Sequence, residues 1–270
     1  MLNNFSGATR IYPILGDPIS QVKSPSGLTR AFEAEGHAIV VPLHVAPGAF
    51  SNIVHALSQI QNVDGFMATM PHKFVAFEQA SSASERATML RSANVVRRTP
   101  AGGWYADLLD GVGFVRASKS KGYVISGKRA LLVGAGGAGG AIGLELLTTG
   151  VSYLAVHDTD VERRDTMIGK LAGLDRGRVG AGSPDPEGFD IVVNATPAGM
   201  SETDLAPVDL AKLRGNMLVG EVITRPTLTP LLLAAQREGC RTQSGIDMFD
   251  AAVQSTIDFF FGRLSMGSQA

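Results

Sequence analysis

Three glycines and one carboxylate carry the first chemical signal of this chain. Residues 130–150 read A-L-L-V-G-A-G-G-A-G-G-A-I-G-L-E-L-L-T-T-G, an apolar strand running into Gly134, Gly136 and Gly139 and then into a helix. At this spacing Gly134 permits a tight turn, Gly136 lets a pyrophosphate approach the backbone, and Gly139 lets helix and strand pack closely. The N–H groups of the helix start then face the phosphates. Gly134, Gly136, Gly137 and Ala138 are therefore the expected dinucleotide loop. Asp158 follows the next apolar strand, residues 152–157, where a carboxylate accepts hydrogen bonds from the adenosine ribose hydroxyls. A 2′-phosphate beside it would be repelled by roughly 1 to 4 kcal/mol at ~4 Å, so NAD is the expected cofactor. Arg163 and Arg164 lie close enough to keep an NADP reading open. Asp158 is also placed to cap the helix expected over 161–171.

The elements that position this loop follow from the hydrophobic pattern, which switches repeatedly between short β-like runs and helical stretches and predicts α/β architecture. Strands are expected at 10–15, 38–44 and 64–69, with helices at about 26–35 and 51–59 between them. Helices at 73–80 and 83–91, β-like pieces at 93–97 and 103–106, and a helix at about 111–118 complete the first part. The polar segment 119–128, K-S-K-G-Y-V-I-S-G-K, reads as a surface connection near a domain junction. Beyond the glycine loop, strands at 190–194 and 216–222 and helices at 229–238 and 247–264 are expected.

Bulk composition narrows the function. The 270 residues, 44% hydrophobic and 18% charged, can bury a large core in one or two domains. A formal net charge of −1 without a basic run speaks against nucleic acid or an anionic membrane as partner. One cysteine, Cys240, excludes an intrachain disulfide and a multi-cysteine zinc site, and His37, His44 and His55 lack metal-ligand spacing, so no metal is expected. No leader-like segment or membrane-length apolar run stands out, and a cytoplasmic location is expected.

Eight motifs outside and around the glycine loop resemble, in order, those of the shikimate dehydrogenase family. They are G-D-P-I-S-Q-V-K-S-P (16–25), A-T-M-P-H-K (68–73), S-A-N (92–94), D-L-L-D-G-V-G (107–113), G-A-G-G-A (134–138), N-A-T-P-A-G-M (194–200), T-P-L (229–231) and G-I-D-M (245–248). The resemblance implies an N-terminal open αβ substrate domain, residues 1–109 with 247–270, and a Rossmann-type, doubly wound nucleotide-binding domain, residues 110–246. It places the active site in the cleft between them, in a monomer or homodimer. It also implies that Lys73 and Asp110 pair beside the substrate hydroxyl that is oxidised. Hydride loss from a carbinol carbon requires loss of the hydroxyl proton, so a proton acceptor must reach that oxygen. Lys73 is expected as acid/base group and Asp110 as its partner, with His72 a bystander to the chemistry. Ser24, Thr69 and Asn94 match substrate-binding positions. Asn194, Ala195 and Thr196 match a loop beside the cofactor riboses, while Val222, Gly245 and Met248 match positions framing the nicotinamide.

Departures from the family pattern bear on the substrate. Val22 stands where a carboxylate-binding serine is usual, Met67 at an asparagine position, Leu108 and Leu109 for an amide and a hydroxyl, Thr224 for a tyrosine, and Ala252 for a glutamine. Each lost partner for a buried substrate group costs ~1 to 3 kcal/mol, so a ring acid with fewer or differently placed hydroxyls than shikimate is expected. The family's basic N-R-T region reads H-D-T-D-V-E here, with Asp158 and Glu162 acidic, in accord with NAD. The sequence thus predicts an NAD-dependent oxidoreductase acting on shikimate, quinate or a related cyclic hydroxy acid. Two readings stand beside it: an NADP-dependent enzyme of aromatic amino acid biosynthesis reducing 3-dehydroshikimate, and a non-catalytic NAD-binding sensor.

Overall fold

The computed structural model describes residues 6–20, 22, 24–35, 38–174, 178–201 and 203–263. Two units emerge, one comprising Met1–Leu109 with Val253–Ala270 and the other Asp110–Ala252. The second division falls at 252/253, inside the last helix, rather than at the expected 246/247.

The first unit carries β1 (Arg10–Gly16), α1 (Ser24–Glu35), β2 (Ala38–His44), α2 (Phe50–Ser58), β3 (Gly65–Ala68), α3 (Lys73–Glu78), β4 (Ser82–Ala83), α4 (Glu85–Leu90), β5 (Val95–Arg98) and β6 (Trp104–Asp107). Its sheet runs β2-β1-β3-β5-β6-β4. β1 pairs in parallel with β2 and β3, whereas β5 is antiparallel to both β3 and β6. Leu15, Phe50, Val54, Phe66 and Trp104 form the core on which the helices pack. Burying such side chains contributes about 1.5 to 3 kcal/mol each. Ser84 caps α4 by accepting the Ala87 N–H, which is why the helix starts at Glu85 rather than at the expected Ala83.

The second unit holds α5 (Asp110–Ser120), β7 (Arg129–Val133), α6 (Gly137–Thr149), β8 (Tyr153–His157), α7 (Val161–Leu171), β9 (Val179–Ala181), β10 (Ile191–Asn194), β11 (Leu218–Glu221), α8 (Pro230–Arg237), β12 (Arg241–Gln243) and the first half of α9 (Gly245–Phe260). Its sheet is wholly parallel in the order β12-β11-β10-β7-β8-β9. That is the doubly wound dinucleotide-binding order, with the reversal at β7/β10, so a ligand is expected at the carboxyl ends of those strands. α7 is capped by Asp160, whose side chain accepts the Arg163 N–H, and not by Asp158. The carboxylate of Asp158 is engaged elsewhere.

Candidate functional site

In the first unit the substrate-type residues gather at the carboxyl end of β3. Thr69 follows that strand and donates its N–H to the Leu15 carbonyl at 2.9 Å, while the Asp17 N–H reaches the Met70 carbonyl at 3.0 Å. Gly16 is required at this approach, because a Cβ there would stand 2.4 Å from the Thr69 methyl. Lys73 opens α3, and its carbonyl accepts the Ala93 N–H at 2.9 Å, which brings the Asn94 segment alongside. Asn94 donates its N–H to the Asp107 carbonyl and accepts the Leu109 N–H on Oδ1 at 2.8 Å. Thr69, Lys73 and Asn94 are thus tied to one strand end by backbone hydrogen bonds. Ser24 begins α1, but its side chain lies outside the described residues, so its expected role finds no geometry here.

Two buried residues hold this end in place: His72, expected as a bystander to the chemistry, and Asp107, to which no role was assigned. His72 is 1% exposed; its ring stacks on Phe50 with centroids 4.5 Å apart, and Nε2 lies 2.7 Å from the Val45 carbonyl. It anchors the residue next to Lys73. Asp107 accepts N–H groups from Nε and Nη2 of Arg86, each at 2.7 Å, the Ser84 hydroxyl and the Leu108 N–H. This fixes the start of the D-L-L-D turn. Leu108 and Leu109 are each 1% exposed and Met67 is buried in β3.

In the second unit the glycine loop turns sharply between β7 and α6. Gly134 sits at φ +104°, a conformation that favours glycine, and a Cβ on it would stand 2.7 Å from the Thr196 methyl. A Cβ on Gly139 would stand 1.9 Å from the Gly134 carbonyl oxygen, so only hydrogen fits where α6 meets the turn. Gly136 differs: nothing lies within 4 Å of where its Cβ would be. It caps α6 without a side chain, and Gly137 and Ala138 form the first turn of the helix, leaving their N–H groups facing the space a pyrophosphate needs.

Asp158 is 9% exposed. Its Oδ2 accepts the Ala135 N–H at 2.7 Å, its Oδ1 accepts the Asp160 N–H at 2.9 Å, and the Arg163 guanidinium approaches Oδ1 at 3.3 Å. A carboxylate at the end of β8 beside open space over Gly136 suits an adenosine ribose. The residues present fit a nicotinamide dinucleotide.

Asn194, Ala195 and Thr196 leave the end of β10 next to this turn. The Ala195 N–H donates to the Val133 carbonyl at 2.7 Å, and Asn194 Oδ1 accepts both the N–H and the hydroxyl of Thr196, at 3.0 and 2.6 Å. Val222 follows β11, and Gly245 is packed so closely that a Cβ would meet the Val222 and Ile223 carbonyl oxygens at 2.5 and 2.4 Å. Met248 is buried in the first turns of α9. Asp110 opens α5, in this unit, whereas Lys73 belongs to the other. Glu221 and Thr229, both fully buried, join the cluster and were not anticipated; a lone acid ending the apolar run L-V-G-E was the available signal. Among the described residues no group of three or more His, Cys, Asp or Glu side chains could hold a metal ion.

The family model for the shikimate dehydrogenase substrate binding domain matches residues 14–96. The shikimate dehydrogenase (NADP(+)) of Geobacter sulfurreducens is 30% identical over 272 residues, covering 96% of this chain and 93% of that protein. Among solved structures, an Ael1 enzyme from Pseudomonas putida is 31% identical with a TM-score of 0.79, covering 94% of both chains. Quinate dehydrogenase from Corynebacterium glutamicum, solved in complex with NAD, shares the fold with a TM-score of 0.83 at 24% identity, covering 94% of both chains.

Proposed function

This chain belongs to the shikimate dehydrogenase family of oxidoreductases, and from that premise we propose that it transfers hydride between NAD and the ring hydroxyl of a cyclic hydroxy acid. The substrate is shikimate, quinate or a relative with fewer or differently placed hydroxyls. NAD, when bound, accepts the hydride. Lys73 takes the proton that the substrate hydroxyl must lose, and Asp110 holds the ammonium in position and stabilises its charge. Thr69 and Asn94 orient the ring through its remaining hydroxyls.

The observation that carries the cofactor half of this reading is the buried Asp158 carboxylate, fixed by two backbone N–H groups at the ribose end of the glycine turn. A 2′-phosphate there meets a negative charge. The curated relatives bear names specifying NADP(+), and one observation favours that second reading: Arg163 stands within 3.4 Å of both Asp158 and Asp160, able to neutralise part of that charge.

Titration with NAD and with NADP, followed by absorbance of the reduced cofactor in the presence of shikimate, quinate and less hydroxylated ring acids, tests both halves. The expected result is NAD preference with turnover of a less polar acid. Preference for NADP with a shikimate kcat/KM above ~10⁴ M⁻¹s⁻¹ overturns it in favour of the biosynthetic reading. NAD binding without turnover of any acid leaves the sensor reading.

A further inference from the structure

The carboxyl ends of β10 and β11 carry two buried polar side chains opposite each other. Asn194 and Glu221 are register partners in the parallel ladder, and neither is exposed to solvent. The Glu221 carboxylate accepts the Asn194 amide at 3.1 and 3.2 Å, the Thr229 hydroxyl at 2.9 Å and the Ile223 N–H. These partners are all donors. Burial opposes the charge strongly enough to push its pKa up to about 7, against the pull of those hydrogen bonds. An apolar residue would avoid that cost.

What the carboxylate achieves is visible in the orientation of Asn194. With Nδ2 facing Glu221 and donating also to the Ala198 carbonyl at 2.9 Å, Oδ1 is left facing Thr196, where it accepts two hydrogen bonds. Thr196 Oγ1 in turn accepts the Ala198 N–H at 3.1 Å, closing the turn. The outer side of that turn lies against Gly134 at the distances given above. On its other flank Glu221 holds Thr229, whose hydroxyl also accepts the Leu232 N–H at 3.2 Å and caps α8. A flipped amide would present a donor to the Thr196 N–H and an acceptor to the carboxylate, losing contacts on both sides.

We propose that Glu221 is a positioning residue for dinucleotide binding: it fixes the Asn194 amide and, through it, the Thr196 turn against the Gly134 turn. The inference rests on the dinucleotide reading of the second unit. Glu221 touches no cofactor itself. It acts through Asn194, and its removal changes binding of the dinucleotide more than the rate of the chemical step.

The test compares the full-length wild type with Glu221→Gln, which keeps the volume but replaces one acceptor by a donor. Calorimetric titration with NAD and NADP, a melting curve, and steady-state kinetics on the best acid substrate are measured for both. The expected result is a dinucleotide Kd and KM raised about tenfold or more, with kcat at saturating dinucleotide within about threefold of wild type. A folded variant whose Kd and KM stay within about twofold overturns the inference, whatever its melting temperature. If Glu221→Gln does not fold, Glu221→Asp keeps the charge but draws the carboxylate back from the Asn194 amide, and the same two outcomes decide. Wild-type protein that binds neither dinucleotide overturns this inference together with the reading beneath it; wild-type binding with unchanged variants overturns the inference alone.

Discussion

Asp158 accepts the Ala135 N–H at 2.7 Å, so the end of β8 is tied directly to the turn that follows β7. On the proposed reading, the carboxylate that would meet a ribose also holds the loop that would meet the phosphates. Asp158→Ala leaves the Ala135 N–H without its acceptor, at a cost of about 1 to 3 kcal/mol. We expect lower stability, weaker NAD binding and an NADP-to-NAD affinity ratio raised about tenfold, because the repulsion of a 2′-phosphate is gone. Melting curves and titrations with both dinucleotides check this; an unchanged ratio would count against Asp158 as the discriminating group.

Gly136 and Gly139 should separate folding from binding. Gly139→Ala drives a methyl into the Gly134 carbonyl and is expected to destabilise the protein by more than about 3 kcal/mol. Gly136→Ala enters open space at a backbone φ of −81° and is expected to leave urea unfolding unchanged while weakening dinucleotide binding about tenfold or more. Equal dinucleotide affinity in wild type and Gly136→Ala would mean that the phosphates do not pass over this residue.

Replacement of Lys73 by Met removes the proposed proton acceptor but keeps the aliphatic stem. A general acid/base is worth about 10²- to 10⁴-fold, so kcat on the best substrate should fall by that factor while dinucleotide affinity and melting temperature hold. Asp110→Asn is expected to lower kcat in the same direction. Turnover by Lys73→Met at the wild-type rate would remove Lys73 from the mechanism.

Glu221 gives stability a pH dependence of definite sign. Its pKa rises from an ordinary 4.5 to about 7 in the folded protein because burial disfavours the charge. The folded state therefore binds the proton more tightly than the unfolded state. This contribution is fully present below pH 4.5 and is lost as pH rises through 7. Relative to Glu221→Gln, which does not titrate, wild type should lose about 2 to 3 kcal/mol between pH 4.5 and pH 8. Urea unfolding of both proteins at the two pH values measures it, and a constant difference would mean that Glu221 does not titrate in this range.

Much of the architecture was readable because periodicity and glycine spacing are local signals. The parallel strands at 10–15, 130–133 and 190–194 are apolar on both faces, as a sheet covered by helices requires, and the structure places them within a residue or so of expectation. β4, β9 and β12 escaped notice because S-A, V-G-A and R-T-Q have neither the length nor the apolar content of a strand; edge pairing alone makes them β. The cap of α7 is Asp160, directly before the helix, rather than the expected Asp158, whose carboxylate accepts the Ala135 and Asp160 N–H groups. Among the proposed site residues, Gly134, Gly139 and Asp158 announced themselves through motif spacing. Glu221, Asp107 and His72 did not, since their partners Asn194, Arg86 and Val45 come from distant parts of the chain.

The division of the chain inside α9 also sets an order of assembly on the ribosome. Residues 110–252 contain every strand of the second sheet, although they come second in sequence. The first unit has to wait: Phe260 packs at a tilt against Tyr12 and Phe32 with centroids 4.9 and 5.7 Å apart, and Phe259 stacks on Tyr105 at 6.0 Å. Until those last aromatics are translated, the surface around Tyr12, Phe32 and Tyr105 stands uncovered, and the nascent chain is exposed to aggregation there for the time taken to synthesise all of the second unit.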